Sequence, residues 1–170
     1  MKREELEKRS WWNYLEEDIQ ELFLTSCLLL KEFENKKYLS EGERIDDFSF
    51  IVFPASKAYE GLLKKVFYDM HFIGDKEFYG DRFRIGKALN PSLPKKYEKE
   101  SVYRKVSEFC GGETLAKNLW ETWKSCRNLL FHWFPNERRV ISYSEAVECI
   151  DEIVNSVDML FAECKNRLGD

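Results

Sequence analysis

Only two of the 170 residues are histidines, and one of them closes a segment with definite chemical potential, Arg127-Asn128-Leu129-Leu130-Phe131-His132. Histidine is the side chain best poised to move protons near neutral pH. Arginine is permanently charged, grips phosphate oxygens with a planar fork and stabilises charge building on a phosphorane. Asn128 can orient either one. Together the three suit metal-free cleavage of RNA, in which a 2′-OH attacks its own phosphodiester. Residues five apart on an ideal helix differ by about 140° in azimuth, so Arg127 and His132 would not share a face. Pro135 stands three residues past the histidine, however. A helix that loosens near Phe131 would let His132 swing toward Arg127.

Arg-x4-His is a weak pattern by itself, and the Asn directly after the Arg sharpens it. Without context it also fits a histidine satisfying a carbonyl at a helix end and an arginine in a surface ion pair. His71 lies at a helix end among aromatics and reads as a packing histidine. Trp11-Trp12 and Trp120-x-x-Trp123 have the chemistry to stack bases, but their helical spacing reads as core. The sequence has no Gly-rich phosphate loop, no Gly-x-Ser-x-Gly and no His-Glu-x-x-His. Neither histidine has a Cys or His at zinc-ligand spacing, so no structural metal and no cofactor are expected.

The elements that must position this segment follow from apolar periodicity. A first helix is predicted over about Ser10 to Glu34, ended by Asn35-Lys36-Lys37, with a turn at Ser40–Glu43. Phe48–Phe53 reads as an extended lead-in, and Pro54 as the first residue of a second helix reaching His71. A short helix is expected around Arg82–Leu89, stopped by Asn90-Pro91-Ser92-Leu93-Pro94. A basic helix over Lys95–Phe109 would be ended by Gly111-Gly112. Glu113 to about Phe131 carries the motif. A capping-box pattern at Ser142-Tyr143-Ser144-Glu145 opens a last helix to about Arg167. No segment alternates long enough for a sheet. The product is one all-α domain over residues 1–170, with about four long helices and one or two short ones. Residues 1–50 form its first helix and connection, and 51–170 the core that carries the motifs.

Composition suits a globular protein, with 44% apolar and 34% charged residues. No run approaches the roughly 20 apolar residues of a membrane span. Met1–Lys8 lacks the apolar stretch of a leader peptide, so a cytoplasmic location without membrane contact is the expectation. Five cysteines, scattered and without a Cys-x-x-Cys pair, read as reduced thiols. Net charge is −4, but charge is unevenly spread: Asp81–Lys105 has eight bases against three acids, and Tyr143–Asp170 has seven acids against two bases. Nucleic acid responds to a local basic face, although solvated helix surfaces explain the same composition.

Arg-Asn-x-x-x-His near a helix end, followed by a loop and a long final amphipathic helix, resembles the HEPN superfamily. Phe53-Pro54-Ala55-Ser56-Lys57-Ala58-Tyr59-Glu60-Gly61 looks like the second helix of the ribonuclease LS toxins of bacterial toxin–antitoxin systems. The resemblance covers about residues 50–170. It implies a HEPN-like bundle and an endoribonuclease leaving 2′,3′-cyclic phosphates, with Arg127 and His132 catalytic and Glu60 as a supporting glutamate. It also implies a homodimer whose two sites share one RNA cleft, and a cognate antitoxin. Another HEPN branch places Tyr two residues after the His; Phe134 stands there in this chain. Within this reading Asn128 orients the pair, and Lys124, Arg138 and Arg139 are accessory phosphate contacts. The other reading is a HEPN-like module that binds RNA, a nucleotide or a protein without catalysis.

Overall fold

The computed structural model describes residues 2–34, 44–133, 135–137 and 139–164. The predicted stop at Asn35–Lys37, the turn at Ser40–Glu43, Phe134, Arg138 and the expected helix end at Arg167 lie outside them. Among the described residues the regular structure is helical and no strand is present. The helices are α1 (Arg3–Leu6), α2 (Glu17–Phe33), α3 (Ser49–Asp69), α4 (Asp75–Phe78), α5 (Ile85–Ala88), α6 (Val102–Phe109), α7 (Gly112–Trp123) and α8 (Tyr143–Cys164). The all-α expectation is met, with α2, α3, α7 and α8 as the long elements. No described helix is long and apolar enough to cross a membrane.

The centre of the bundle is α3, which packs against α2 on one side and α8 on another; α8 also packs against α7. Its residues Ile51, Val52, Ala55, Ala58, Tyr59, Leu62, Leu63, Val66 and Phe67 are fully buried, a wider apolar arc than a helix exposed on one face needs. Tyr59 carries a hydroxyl into this core. That hydroxyl meets Ser156 Oγ at 2.9 Å, and Ser156 in turn donates to Asn118 Oδ1 at 2.7 Å, so α3, α7 and α8 are joined by satisfied polar atoms.

The start of α3 departs from expectation. Phe48–Phe53 is not an extended lead-in: the helix begins at Ser49 and Pro54 lies inside it. Asp47 holds the first turn, accepting from Ser49 N at 3.0 Å and Ser49 Oγ at 2.9 Å, an N-terminal signal that precedes the apolar run. An interior proline removes a donor and crowds the preceding turn. The Ser26 hydroxyl of α2 is inserted there, donating to Ile51 O at 2.8 Å and accepting from Ala55 N at 2.9 Å. A buried side chain thus bridges the widened ladder. Ser26→Ala should cost about 2 kcal/mol in urea unfolding, since it strands two buried backbone groups. A loss below a few tenths of that would mean the ladder closes without help.

The predicted first helix is divided. A 3-10 turn at Trp12–Tyr14 precedes an extended Leu15, and α2 starts only at Glu17. Gln20 Nε2 takes up the carbonyls left by the break, at 3.0 Å from Trp12 O and 3.4 Å from Leu15 O. Lys95–Phe109 is likewise two pieces, a 3-10 turn to Glu100 and then α6, because Ser101 caps the latter by accepting from Arg104 N at 3.3 Å. Only the Ile85–Ala88 part of the predicted Arg82–Leu89 helix is helical. His71, exposed and at φ 56°, ends α3 in the left-handed conformation, with Phe72 N bonded to Phe67 O at 2.8 Å. It is an exposed helix-end residue and not a packing histidine.

Cysteine pairing also differs from expectation. Cys110 and Cys164 form a disulfide across 54 residues, with Cα atoms 5.2 Å apart. Gly111 and Gly112 make the approach feasible. A Cβ on Gly111 would lie 2.8 Å from Glu163 Cγ of α8, and Gly112, at φ +70°, turns the chain from α6 into α7. Cys27, Cys126 and Cys149 are free.

The capping box of α8 is present. Ser142 N donates to Glu145 Oε2 at 2.7 Å and Glu145 N to Ser142 Oγ at 3.2 Å. Donors from the Ser142 backbone and hydroxyl hold the Glu145 carboxyl below its ordinary range. Its contribution to α8 is therefore complete above the ordinary glutamate range and is lost as pH falls through the depressed value. Amide exchange at the first turn of α8 should accelerate over that acid interval in the parent and not in Glu145→Gln.

Candidate active site

Beyond Trp123 the α-helical pattern of α7 widens into a π turn over Lys124–Asn128, closed by Leu129 N to Lys124 O at 2.9 Å. Such turns hold one more residue than an α-turn and shift the azimuth of every later residue in the helix. The local sequence favours the departure, because Ser125 and Cys126 have side chains that bond outside the helix ladder. Ser125 Oγ reaches Glu121 O at 2.9 Å and Glu152 Oε1 of α8 at 3.1 Å. Cys126 Sγ donates to Glu152 Oε2 at 3.4 Å. The Cys126 carbonyl, turned out of the ladder, accepts from Ser56 Oγ of α3 at 2.6 Å. Bonding to Cys149 and burial push the Cys126 thiol up, so it stays a protonated donor.

On the α3 side the π turn is held by one buried hydroxyl, that of Ser56. Ser56→Ala should leave the Cys126 carbonyl without its partner, at about 1–3 kcal/mol of stability, and loosen the turn that carries Arg127. Urea unfolding measures the first effect. An unchanged midpoint would show that the π turn does not rely on α3.

The π turn delivers Arg127 to α3. Its Nε donates to Glu60 Oε2 at 3.1 Å, with both side chains about one-third exposed (34% and 30%). The guanidinium also lies over the Trp123 ring, 5.8 Å from the centroid. Asn128 points to the histidine instead, and His132 Nε2 meets Asn128 Oδ1 at 3.0 Å. A carbonyl oxygen can only accept, so the imidazole donates to Asn128 through Nε2 and the bond fixes the plane of the ring. Glu60, Arg127, Asn128 and His132 all line one cavity of about 300 Å³. The helix does loosen before His132, although the departure begins earlier, at Lys124.

Two further cations lining this cavity, Arg84 and Lys87, have no signature in the motif. Arg84 Nη1 donates to backbone carbonyls, Asp81 O at 2.5 Å and Phe83 O at 3.0 Å, and the side chain has no carboxylate partner among the described residues. Lys87 is paired with Glu100 at 2.6 Å and lies over Tyr97. The basic bias of residues 81–105 was the available signal; their distance in sequence from the motif hid its relevance. The expected accessory cations are elsewhere. Lys124 is exposed and does not line the cavity, Arg139 pairs with Glu137 at 2.8 Å, and Arg138 lies outside the described residues. Trp11, Trp12 and Trp123 are core, as their spacing indicated, whereas Trp120 is half-buried and stacked on Trp123 at 5.7 Å.

Chemically the cavity joins a proton-transfer group, a forked cation anchored by a carboxylate, and a second guanidinium, that of Arg84. Among the described residues no group of three or more His, Cys, Asp or Glu side chains is arranged to hold a metal ion. The chain matches no protein-family model, no curated protein and no solved structure.

Proposed function

We propose that the chain is a HEPN-type endoribonuclease that cleaves RNA by attack of a ribose 2′-OH on the adjacent phosphodiester. The observation that carries this reading is the convergence of the Glu60–Arg127 ion pair and the Asn128–His132 hydrogen bond on one cavity. Arg127, held in orientation by Glu60, binds the non-bridging oxygens and the charge that builds on them. His132 takes the 2′-OH proton as the 2′-oxygen bonds to phosphorus, then gives it to the 5′-oxygen as the P–O5′ bond breaks. The products are a 2′,3′-cyclic phosphate and a 5′-hydroxyl. Arg84, which lines the same cavity, adds positive potential where the phosphate would lie.

Toxin activity, a two-fold dimer with both cavities facing one cleft, and a cognate antitoxin belong to the same proposal. They rest on the motif resemblance. The test is incubation of the purified chain with unstructured RNA in EDTA, with the ends identified by phosphatase and kinase treatment. Cyclic phosphate ends support the reading. Intact RNA, or 3′-hydroxyl ends, would refute it.

A further inference from the structure

We infer that the larger cavity beside this site receives the nucleotide that adjoins the scissile phosphate of a single-stranded RNA, an inference that rests on the ribonuclease reading and extends it to substrate binding. The cavity has a volume of about 480 Å³ and shares Glu60, Arg84 and Ile85 with the smaller one, so the two form one path. Its size falls within the range of small-molecule clefts, about 300–1,000 Å³.

Its wall is built from one stripe of α3: Lys57, Glu60, Gly61 and Lys64, spaced three and four apart. Lys57 has no ion pair among the described residues, and Lys64 donates to the Gly80 carbonyl at 3.4 Å and lies over the Phe78 ring, 5.7 Å from its centroid. With Arg84, that makes three cations lacking a carboxylate partner. Two of the four carboxylates on the same cavity are paired with cations, Glu60 with Arg127 and Glu16 with Lys65 at 3.9 Å. Asp18, which accepts from Ile19 N at 2.9 Å, and Asp81 have no cation partner among the described residues, and a carboxylate beside cations suits the N–H edge of a base better than a second phosphate. Phe83, half-buried on the same cavity and without a ring partner among the described residues, offers a face for stacking. Cations tracking a backbone beside an aromatic platform are what a single strand requires.

The test uses 2′-O-methyl oligoribonucleotides of two to six residues, which cannot self-cleave, and fluorescence anisotropy with the full chain. Parent affinity should rise with length. In Lys57→Ala/Lys64→Ala that rise should disappear, and the slope of log K against log salt should flatten by about 0.7 per lost phosphate contact. Phe83→Ala should weaken tetramer binding about tenfold. Lys57→Arg/Lys64→Arg should bind as the parent does. Parent-like binding by the alanine variants, or an equal loss in Lys8→Ala/Lys117→Ala, whose lysines line neither cavity, would overturn the inference. So would a parent that binds no oligomer. Binding with these losses but without cleavage of unmodified RNA would remove the ribonuclease reading and leave the binding cavity standing. Cleavage with no such losses would remove the cavity alone.

Discussion

His132→Ala should lower the rate of RNA cleavage by about 10²–10⁴-fold while leaving the fold intact. His132 is exposed at the end of the widened helix, so its loss opens no hole in the core. Arg127→Ala should match that loss of activity but behave differently as a protein. It removes the partner of a Glu60 side chain that is 30% exposed, so a measurable drop in unfolding free energy should accompany it. Arg127→Lys should not rescue, because an ammonium cannot engage Glu60 and a phosphate together with a planar fork. Glu60→Gln should keep the shape and reduce activity through a misoriented guanidinium, raising KM more than it lowers kcat. Single-turnover cleavage and urea unfolding on the same preparations separate the two effects. Parent-like cleavage by His132→Ala would sink the assignment. If the alanine variants bound RNA normally in a protein that never cut it, the residues would belong to a binding module.

Gly86→Ala should be the most damaging change outside the motif. A Cβ at this position would stand 2.6 Å from Trp123 Cζ2 and nearer still to Cη2. No real contact of that length survives, and Trp123 has little room to move. It is 8% exposed and stacked on Trp120 at 5.7 Å. Overpacking of this sort costs about 1–3 kcal/mol. The damage would extend to chemistry, because Arg127 rests over the ring that must shift. Displacing a phosphate-binding group by an ångström can reduce turnover by about a hundredfold. The measurement is a double-mutant cycle with Trp123→Phe, whose smaller ring removes the atoms in conflict. Stability of Gly86→Ala/Trp123→Phe above the sum of the single effects is expected. Strict additivity would show that the two sites do not touch.

Much of this site was legible in the residue pattern. The residue types of Glu60, Arg127, Asn128 and His132 and the inward face of α3 were readable from the letters, but the meeting of Arg127 with Glu60 is set by the π turn beyond α7. Arg84 and Lys87 escaped notice because a short helix between loops has no periodicity to orient it. Pro54 misled, since an interior proline is tolerated only because Ser26, on a different helix, bridges the ladder. The π turn had no local signature strong enough to predict. It exists through Ser56 and Glu152, which lie 70 and 26 residues from Cys126 in the chain. The Cys110–Cys164 pairing similarly depends on where Gly111 lets α8 approach.

The π turn also acts as a phase offset between the bundle and its chemistry. A regular helix advances about 100° per residue, so closing Lys124–Asn128 as ordinary helix with the same residues would rotate those past the turn by up to about that angle, and the cavity would lose its forked cation. Removing one residue from Lys124–Cys126 would instead let the helix straighten with Arg127 and Asn128 kept nearly in phase. Spacing along the chain and spacing around the axis are thus independent quantities here, separated by a single inserted residue. Two chains with the same Arg-Asn-x-x-x-His letters can present them to different sides of a bundle, according to whether their helices carry that extra step.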